Sequence, residues 1–273
     1  MQAITKTERT VLQRARGTID LVMTDGKLER FYQSGSAKIF MPKTYAQTVE
    51  VILVNTAGGL TGGDEFEVRV GADGATHLTV STQTAERVYR ALGPKNAEIR
   101  VNMIVTGAAT LHWLPQETIL FDRAGFSRHL DVQLHEGANF LASEMLVFGR
   151  TAMQETVRHG HIRDQWRIWR DGRLIHAEAF RLDGDIVQKL HHKASAAGNV
   201  CFATTIYISC DAEAKADAVR GFFDRFADVQ TAVSAWQGKL VIRSLCTDTA
   251  RLKKLLAQFI EQFRQIANPR VWN

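Results

Sequence analysis

Alternation of polar and apolar residues over the first two thirds of the chain restricts its fold more than any other feature. Such segments occur at residues 65–70 and 98–105, with glycine-containing turns between them. Because the side chains of a strand point alternately to its two faces, a period of two predicts half-buried strands. Asp171-Gly172 marks the turn of a predicted hairpin. The sequence therefore predicts a mainly β protein, with a large multi-stranded β body over residues 1–198 whose sheets stack as a sandwich or wind as a helix.

A different pattern begins near residue 200 and predicts an α+β layer, residues 199–273, packed on the β body as part of one structural unit. Two helices are expected there. Asp211 is expected to cap the first, and the second carries an apolar stripe until Asn268-Pro269 ends it. The other predicted features are a strand at 200–209, a helix face formed by Ala218, Phe222 and Phe226, and a hairpin whose strands, 233–236 and 240–245, flank Gln237-Gly238-Lys239.

Four of the twenty glycines lie within six positions, 58–63, three residues after the apolar run 49–54. Glycine loses more backbone entropy on folding than other residues, so paired glycines are expected where φ is positive or where another backbone comes close. A phosphate loop is excluded, because the spacing is not that of a nucleotide motif, no Lys-Ser or Lys-Thr follows, and the charge of Asp64 would repel a phosphate. We therefore expect that this chain alone neither binds nor hydrolyses GTP.

The glycine loop, Asn55-Thr56-Ala57-Gly58-Gly59-Leu60-Thr61-Gly62-Gly63-Asp64, closely resembles the signature of the UreD (UreH) family of urease accessory proteins. We expect Asn55, Gly58, Gly59, Gly62 and Gly63 to have a structural role in this loop. Five further motifs match in the family's order: Tyr32-Gln33-Ser34-Gly35 with Lys38 and Pro42, Thr82-Gln83-Thr84-Ala85 with Val88-Tyr89-Arg90, Trp113-Leu114-Pro115-Gln116-Glu117-Thr118-Ile119-Leu120-Phe121, Glu144-Met145-Leu146-Val147-Phe148-Gly149-Arg150, and Pro269-Arg270-Val271-Trp272. The resemblance spans nearly the whole chain. One departure is Gln154 before Glu155, where the family usually has a glycine.

Composition is consistent with a globular protein of the cytoplasm. With 273 residues, 45% of them hydrophobic, the chain can bury a full core. No apolar run approaches the roughly 18 residues of a membrane span, and the polar start lacks a signal-peptide core. Cys201, Cys210 and Cys246 are widely spaced, which argues against a disulfide framework or a thiolate zinc site. The net charge of +5 comes from dispersed basic residues, so a solvated basic face is favoured over an anion site, and no nucleic-acid partner is expected.

Four carboxylates lie within the family-like motifs or adjoin apolar segments: Asp64, Glu86, Glu144 and Glu178. A carboxylate near the interior is costly unless it is hydrogen-bonded, paired or wet, so a water-filled passage that holds Ni²⁺ transiently would account for all four. Taken singly, each is better explained by a salt bridge or a loop cap, with Arg87 and Arg150 as available partners. No tight metal site is predicted, because the histidines are dispersed.

The resemblance implies a non-catalytic scaffold without a cofactor of its own. Members of the family bind apo-urease and recruit the accessory protein UreF and the GTPase UreG, so that nickel reaches the buried active site. Arg270 and Trp272, in a short tail after the last helix, are candidates for partner binding, because Arg and Trp are frequent in interface hot spots. Two alternatives stay open: a β-rich hydrolase such as a glycosidase, with Asp64 and Glu144 as paired carboxylates, and a metal storage protein.

Overall fold

The computed structural model describes residues 13–43, 48–149 and 155–272. Strands dominate these ranges, as the sequence predicts. In chain order they are β1 (Arg16–Thr24), β2 (Lys27–Gly35), β3 (Ala37–Phe40), β4 (Val49–Asn55), β5 (Glu65–Asp73), β6 (His77–Thr82), β7 (Glu86–Val88), β8 (Ala97–Val105), β9 (Thr110–Leu114), β10 (Thr118–Leu120), β11 (Ala124–Leu134), β12 (Asn139–Phe148), β13 (His159–Arg170), β14 (Arg173–Asp185), β15 (Cys201–Ile208), β16 (Gln230–Trp236) and β17 (Lys239–Cys246). The helices are α1 (Ile186–His191), α2 (Ala216–Phe223) and α3 (Thr249–Arg264), followed by a 3-10 turn, Arg270–Trp272.

Two sheets face each other across a shared core. The small sheet has the order β14-β13-β11-β8-β5-β1-β2, and the large sheet has the order β16-β17-β15-β12-β9-β6-β4-β3 with β7 and β10 beside β12. From β4 to β13 the chain passes back and forth between the sheets, and successive strands within each sheet pair in parallel. The chain therefore winds as coils that each add strands to both sheets, so the body is at once stacked and helical.

Apolar residues on the inner face of each strand fill the space between the sheets. The first core cluster joins Leu21 and Val68 of the small sheet to Val80 and Phe140 of the large sheet, and all four are at most 2% exposed. A smaller cluster around Phe126 lies beside it. These inward residues are the apolar half of the alternation in the sequence, which is why the strand prediction is confirmed.

The C-terminal region extends the large sheet and covers its outer face. β15 pairs with β12, β17 with β15, and β16 with β17, so the predicted hairpin at Gln237-Gly238 is confirmed. α2 and α3 pack on this extension through a second apolar cluster that includes Phe222 and Phe259. Because β12 and β15 share one sheet, the two regions are continuous there, and the boundary at residue 198 stays a prediction.

Details at the helix ends differ from the sequence prediction. α2 begins only at Ala216, because Asp211 accepts a hydrogen bond from the Tyr207 hydroxyl (2.8 Å) and pairs with Lys215 instead of capping the helix. Ala218 is exposed, so it does not belong to the buried face of α2. α3 ends where Gln265 takes a φ of 55°, before the predicted stop at Asn268-Pro269.

α1 was not predicted, since its six residues are too few for a clear helical period. Asp185 caps it by accepting a hydrogen bond from the Gln188 amide at 2.9 Å. Among the described helices, none combines the length and the apolar character that a membrane crossing needs.

Candidate functional site

The family-like motifs occupy equivalent places in successive coils. β6 and β7 form one interrupted strand, and so do β9 and β10, since β12 pairs in parallel with both β9 and β10. The interruptions lie at residues 83–85 and 115–117, and the glycine loop follows β4 at the corresponding place, where Leu60 bridges Val88. Motifs that are distant in the sequence therefore stack along one line of the large sheet.

The glycine loop is fastened to the next coil by its backbone. The Leu60 amide donates to the Arg87 carbonyl at 2.7 Å, and the Gly63 amide donates to the Asn96 carbonyl at 2.9 Å. Gly63 has a φ of 93°, and a Cβ at Gly62 would lie only 2.4 Å from the carbonyl oxygen of Lys95. Positive φ and close backbone approach, the two reasons for paired glycines, both apply.

Between the sheets, one band of polar residues separates the two apolar clusters. On β11, for example, the inward residues are Phe126 of the smaller cluster, then Arg128, then Leu130 of the larger cluster. Other strands repeat this order, with one polar inward residue between two apolar ones. We call this band the polar layer; it contains Asn55, Asp64, Glu86, Thr118, Arg128, Glu144, Asp164, Glu178, Thr204 and Arg243. All four carboxylates singled out in the sequence thus belong to one band that crosses the strands obliquely, since Glu86 is in register with Leu146, one inward position beyond Glu144.

Glu86 and Asp64 occupy the end of the layer next to the glycine loop. Asp64 is 4% exposed and accepts hydrogen bonds from the amides of Ala15 and Thr61, both at 2.8 Å, so it caps the loop. Glu86 is half-buried and accepts from the Asn55 side chain at 3.2 and 3.3 Å. Burial raises the pKa of Glu86 to about 7 despite this hydrogen bond, and the charge of Asp64 adds to the effect.

Arg128 is the centre of the layer. Its Nη2 lies 2.5 Å from Asp164 and 2.7 Å from Glu144, and all three side chains are almost inaccessible to solvent. The Trp113 indole donates to Glu144 at 2.6 Å. Burial raises the pKa of Glu144 to about 7, although the charge of Arg128 acts to lower it. Burial acts to lower the pKa of Arg128, but the two carboxylates outweigh burial and raise it. One guanidinium thus faces two buried carboxyl groups.

Glu178 occupies the other end, where β14 meets the extension of the large sheet. It pairs with Arg243 at 3.0 Å, approaches His176 at 3.5 Å and accepts from the Thr204 hydroxyl at 3.3 Å. Thr204 is the direct cross-strand neighbour of Glu144, so the two carboxylates lie on either side of one threonine. Burial acts to raise the pKa of Glu178, but hydrogen bonds from His176 and Arg243 outweigh it and the pKa is lowered.

Each end of the polar layer opens to a cavity. Asn55 and Glu86 line one of about 60 Å³, which is room for a few water molecules. Glu178, Thr204 and Arg243 line a groove of about 550 Å³ together with apolar residues of β14 and β15. Within the described ranges, no group of three or more His, Cys, Asp or Glu side chains is placed to hold a metal ion.

The C-terminal tail folds back onto the large sheet. The Trp272 indole donates to the Leu114 carbonyl at 2.9 Å, and the Arg270 amide donates to Glu50 at 3.0 Å. Trp272 also packs against the apolar cluster beneath α3, whereas the Arg270 side chain is exposed. These contacts attach the tail to the fold, and its role in partner binding stays a prediction.

Comparison with known proteins decides the family. The model of the UreD urease accessory protein family matches residues 15–273. The chain belongs to the UreD family. A urease accessory protein UreD of Rhizobium leguminosarum bv. trifolii is 44% identical over 266 residues, covering 96% of each chain. The UreD proteins of Agrobacterium fabrum (42%, covering 95% of this chain and 91% of the relative) and Azorhizobium caulinodans (38%, 95% of each) are similar over the same extent.

Three charged members of the polar layer of this UreD-family chain were not predicted from the sequence: Arg128, Asp164 and Arg243. Arg128 and Asp164 lie outside the family-like motifs, and their strands pair in parallel so that the two residues are direct neighbours. A signal was present for these two, since each occupies an inward position in an otherwise apolar alternation. Arg150 and Gln154 lie outside the described residues.

Proposed function

We propose that this chain is a non-catalytic urease maturation factor of the cytoplasm, which binds apo-urease, recruits UreF and UreG, and assists nickel insertion without a cofactor of its own. Membership of the UreD family supports the role in urease maturation. The glycine loop supports the absence of nucleotide chemistry, because its amides are used to fasten the next coil, as with Gly63 and Asn96. GTP hydrolysis would then belong to UreG.

The polar layer is the observation that supports a role in nickel insertion. Carboxylate oxygens and water are suitable transient ligands for a divalent ion, and carboxylates recur along the layer from Asp64 to Glu178. The cavities at its two ends provide an entrance and an exit. Nickel is cargo in this scheme, held by few ligands at a time.

Arg128 determines what nickel transit would require. It fills the space between Glu144 and Asp164, so Ni²⁺ can pass only if the guanidinium moves away from one of them. An approaching dication also favours ionised carboxylates, and Glu86 and Glu144 have pKa values raised to about 7. Transit is therefore expected to release protons, in the way that metal binding and deprotonation are generally linked.

The glycosidase alternative is not favoured by the geometry. Asp64 uses its two oxygens to accept backbone hydrogen bonds, and Glu144 is held by Arg128 and Trp113. The cavity beside Glu144 measures about 10 Å³, whereas ligand pockets usually measure roughly 300–1,000 Å³. Neither carboxylate is free to act on a sugar.

Nickel loading of urease tests the proposal. The chain would be co-expressed with urease subunits, UreF and UreG, as wild type, Glu178→Gln and Glu178→Lys, with the exposed Glu213→Lys as control. We expect normal assembly but fewer nickel ions per active site, with Lys worse than Gln. A lysine adds repulsion of about 4 kcal/mol per unit charge at roughly 4 Å and intermediate dielectric, and more for a dication.

Melting temperature and pull-down of each variant separate the outcomes. Glu178→Gln leaves the half-exposed Arg243 in contact with solvent, so folding should be retained. Normal assembly with wild-type nickel loading in both Glu178 variants would exclude the layer as a route. Failure of the wild-type chain to associate with urease, UreF or UreG would reject the scaffold itself.

A further inference from the structure

A second polar site lies on the outer face of the small sheet, away from the polar layer. It is a cleft of about 670 Å³, a volume typical of binding pockets. Its floor is one row of outward residues in register across five strands or their starts: Glu65, Glu98, Ser127, Arg163 and Arg181. No helix covers this face in the described part of the chain.

The loop at residues 91–96 forms one wall of the cleft and is held in place by the glycine loop. The Gly63 amide donates to the Asn96 carbonyl at 2.9 Å, and Gly62 leaves room for the loop, since a Cβ there would meet Ala91 at 2.8 Å. The Asn96 side chain donates to the Ser127 hydroxyl at 2.9 Å. The wall is therefore built into the fold, and no acceptor for the Ser127 proton lies among the described residues.

The lining of the cleft contains three carboxylates and three cations, and each carboxylate has a cation partner, Glu65 with Arg16 at 3.9 Å. Asp183 pairs with both Arg181 and His161, and Glu98 pairs with Arg100. Among the described residues, neither Arg163 nor Lys95 makes an ion pair, although both line the cleft. Two cations and one hydroxyl thus remain as donors without an acceptor.

We propose that this cleft binds an extended acidic segment of a partner protein, with a carboxylate of the segment held by Arg163, Lys95 and the Ser127 hydroxyl. Complementary charge selects the carboxylate. A peptide fits better than a small anion because Leu92, in the same loop, is 66% exposed and offers an apolar contact. The site does not depend on nickel and would account for the conformation of the second glycine pair.

Binding of a defined acidic peptide tests this site in the full-length protein. The probe is fluorescein-labelled Gly-Glu-Leu-Asp-Glu-Leu-Gly, followed by fluorescence anisotropy, with the corresponding Gln/Asn peptide as negative control. Arg163→Glu should weaken binding at least tenfold. The matched control is Arg167→Glu, on the same strand and face, exposed, roughly 13 Å farther along β13 and outside the cleft; its effect should be less than twofold.

Three results would overturn the proposal: no saturable binding by the wild-type chain, equal weakening by the two arginine variants, or displacement of the peptide by inorganic phosphate at equal concentration. Equal weakening by the two arginine variants would indicate attraction by the overall positive charge of this face. Displacement by phosphate would indicate a pocket for small anions. If Arg163→Glu fails to fold, Lys95→Glu on the exposed loop makes the same test and should also weaken binding at least tenfold.

Discussion

Glu86 makes the stability of the protein depend on pH in a direction that can be calculated. Its pKa is raised from 4.5 to about 7 in the folded chain. The folded state therefore retains a proton that the unfolded chain releases, and the free energy of unfolding falls as pH rises from about 4.5 to 7. One pKa unit corresponds to about 1.4 kcal/mol, so the full effect is about 3.4 kcal/mol, of which about 2.5 kcal/mol falls between pH 5 and pH 8.

Replacing Glu86 by Gln should remove this dependence, because the amide resembles the protonated acid and still accepts a hydrogen bond from Asn55. We expect Glu86→Gln to have nearly wild-type stability at pH 5 and to be more stable than wild type by about 2–3 kcal/mol at pH 8. Urea denaturation at pH 5, 6, 7 and 8 measures both, with the exposed Glu213→Gln as control. An unchanged difference between wild type and Glu86→Gln at all four pH values would refute the argument.

Three further predictions concern the packing of the loop, the layer and the tail. Gly62→Ala should lower the free energy of unfolding by about 1–3 kcal/mol, because the added Cβ would meet the Lys95 carbonyl oxygen. Gly93→Ala is the control and should leave it unchanged, since nothing lies within 4 Å of a Cβ there. Equal effects of the two substitutions in thermal melts would contradict the close approach of Gly62 and Lys95. Arg128→Met should cost about 3–5 kcal/mol at pH 8 and less at pH 5, where Glu144, with its raised pKa, is protonated and no longer repels Asp164; a pH-independent loss in urea titrations would count against this. Trp272→Ala should cost about 2 kcal/mol through lost packing and its hydrogen bond, and unchanged denaturation with impaired urease assembly would instead assign Trp272 to the partner surface.

The fold was predictable where each strand has one inward face. Segments such as β5 and β8 alternate without interruption, so a period of two identified them. Predictions from local sequence failed where a side chain makes another contact in the folded chain. Asp211 has the sequence position of a helix cap, but its carboxylate binds Tyr207 and Lys215 instead. α1 is too short to have a visible period.

The candidate site was predictable only in part. The carboxylates could be chosen because they lie in or near recognisable motifs, but their arrangement in one oblique band depends on strand register, which a single sequence does not contain. Glu144 and Glu178, for instance, come together only because Thr204 pairs with Glu144 on one side and contacts Glu178 on the other. The orientation of Arg128 toward both Glu144 and Asp164 likewise follows from parallel pairing of β11 and β13.

The number of coils in the chain sets the length of the polar layer. Asn55 and Arg243 lie on strands that are five steps apart in the large sheet, and neighbouring strands are about 4.8 Å apart, so the polar layer is roughly 24 Å long. Each added coil would lengthen it by one such step, and each coil removed would shorten it, without altering the residues at either end. The spacing between whatever docks at the two openings is thus set by the number of coils in the chain.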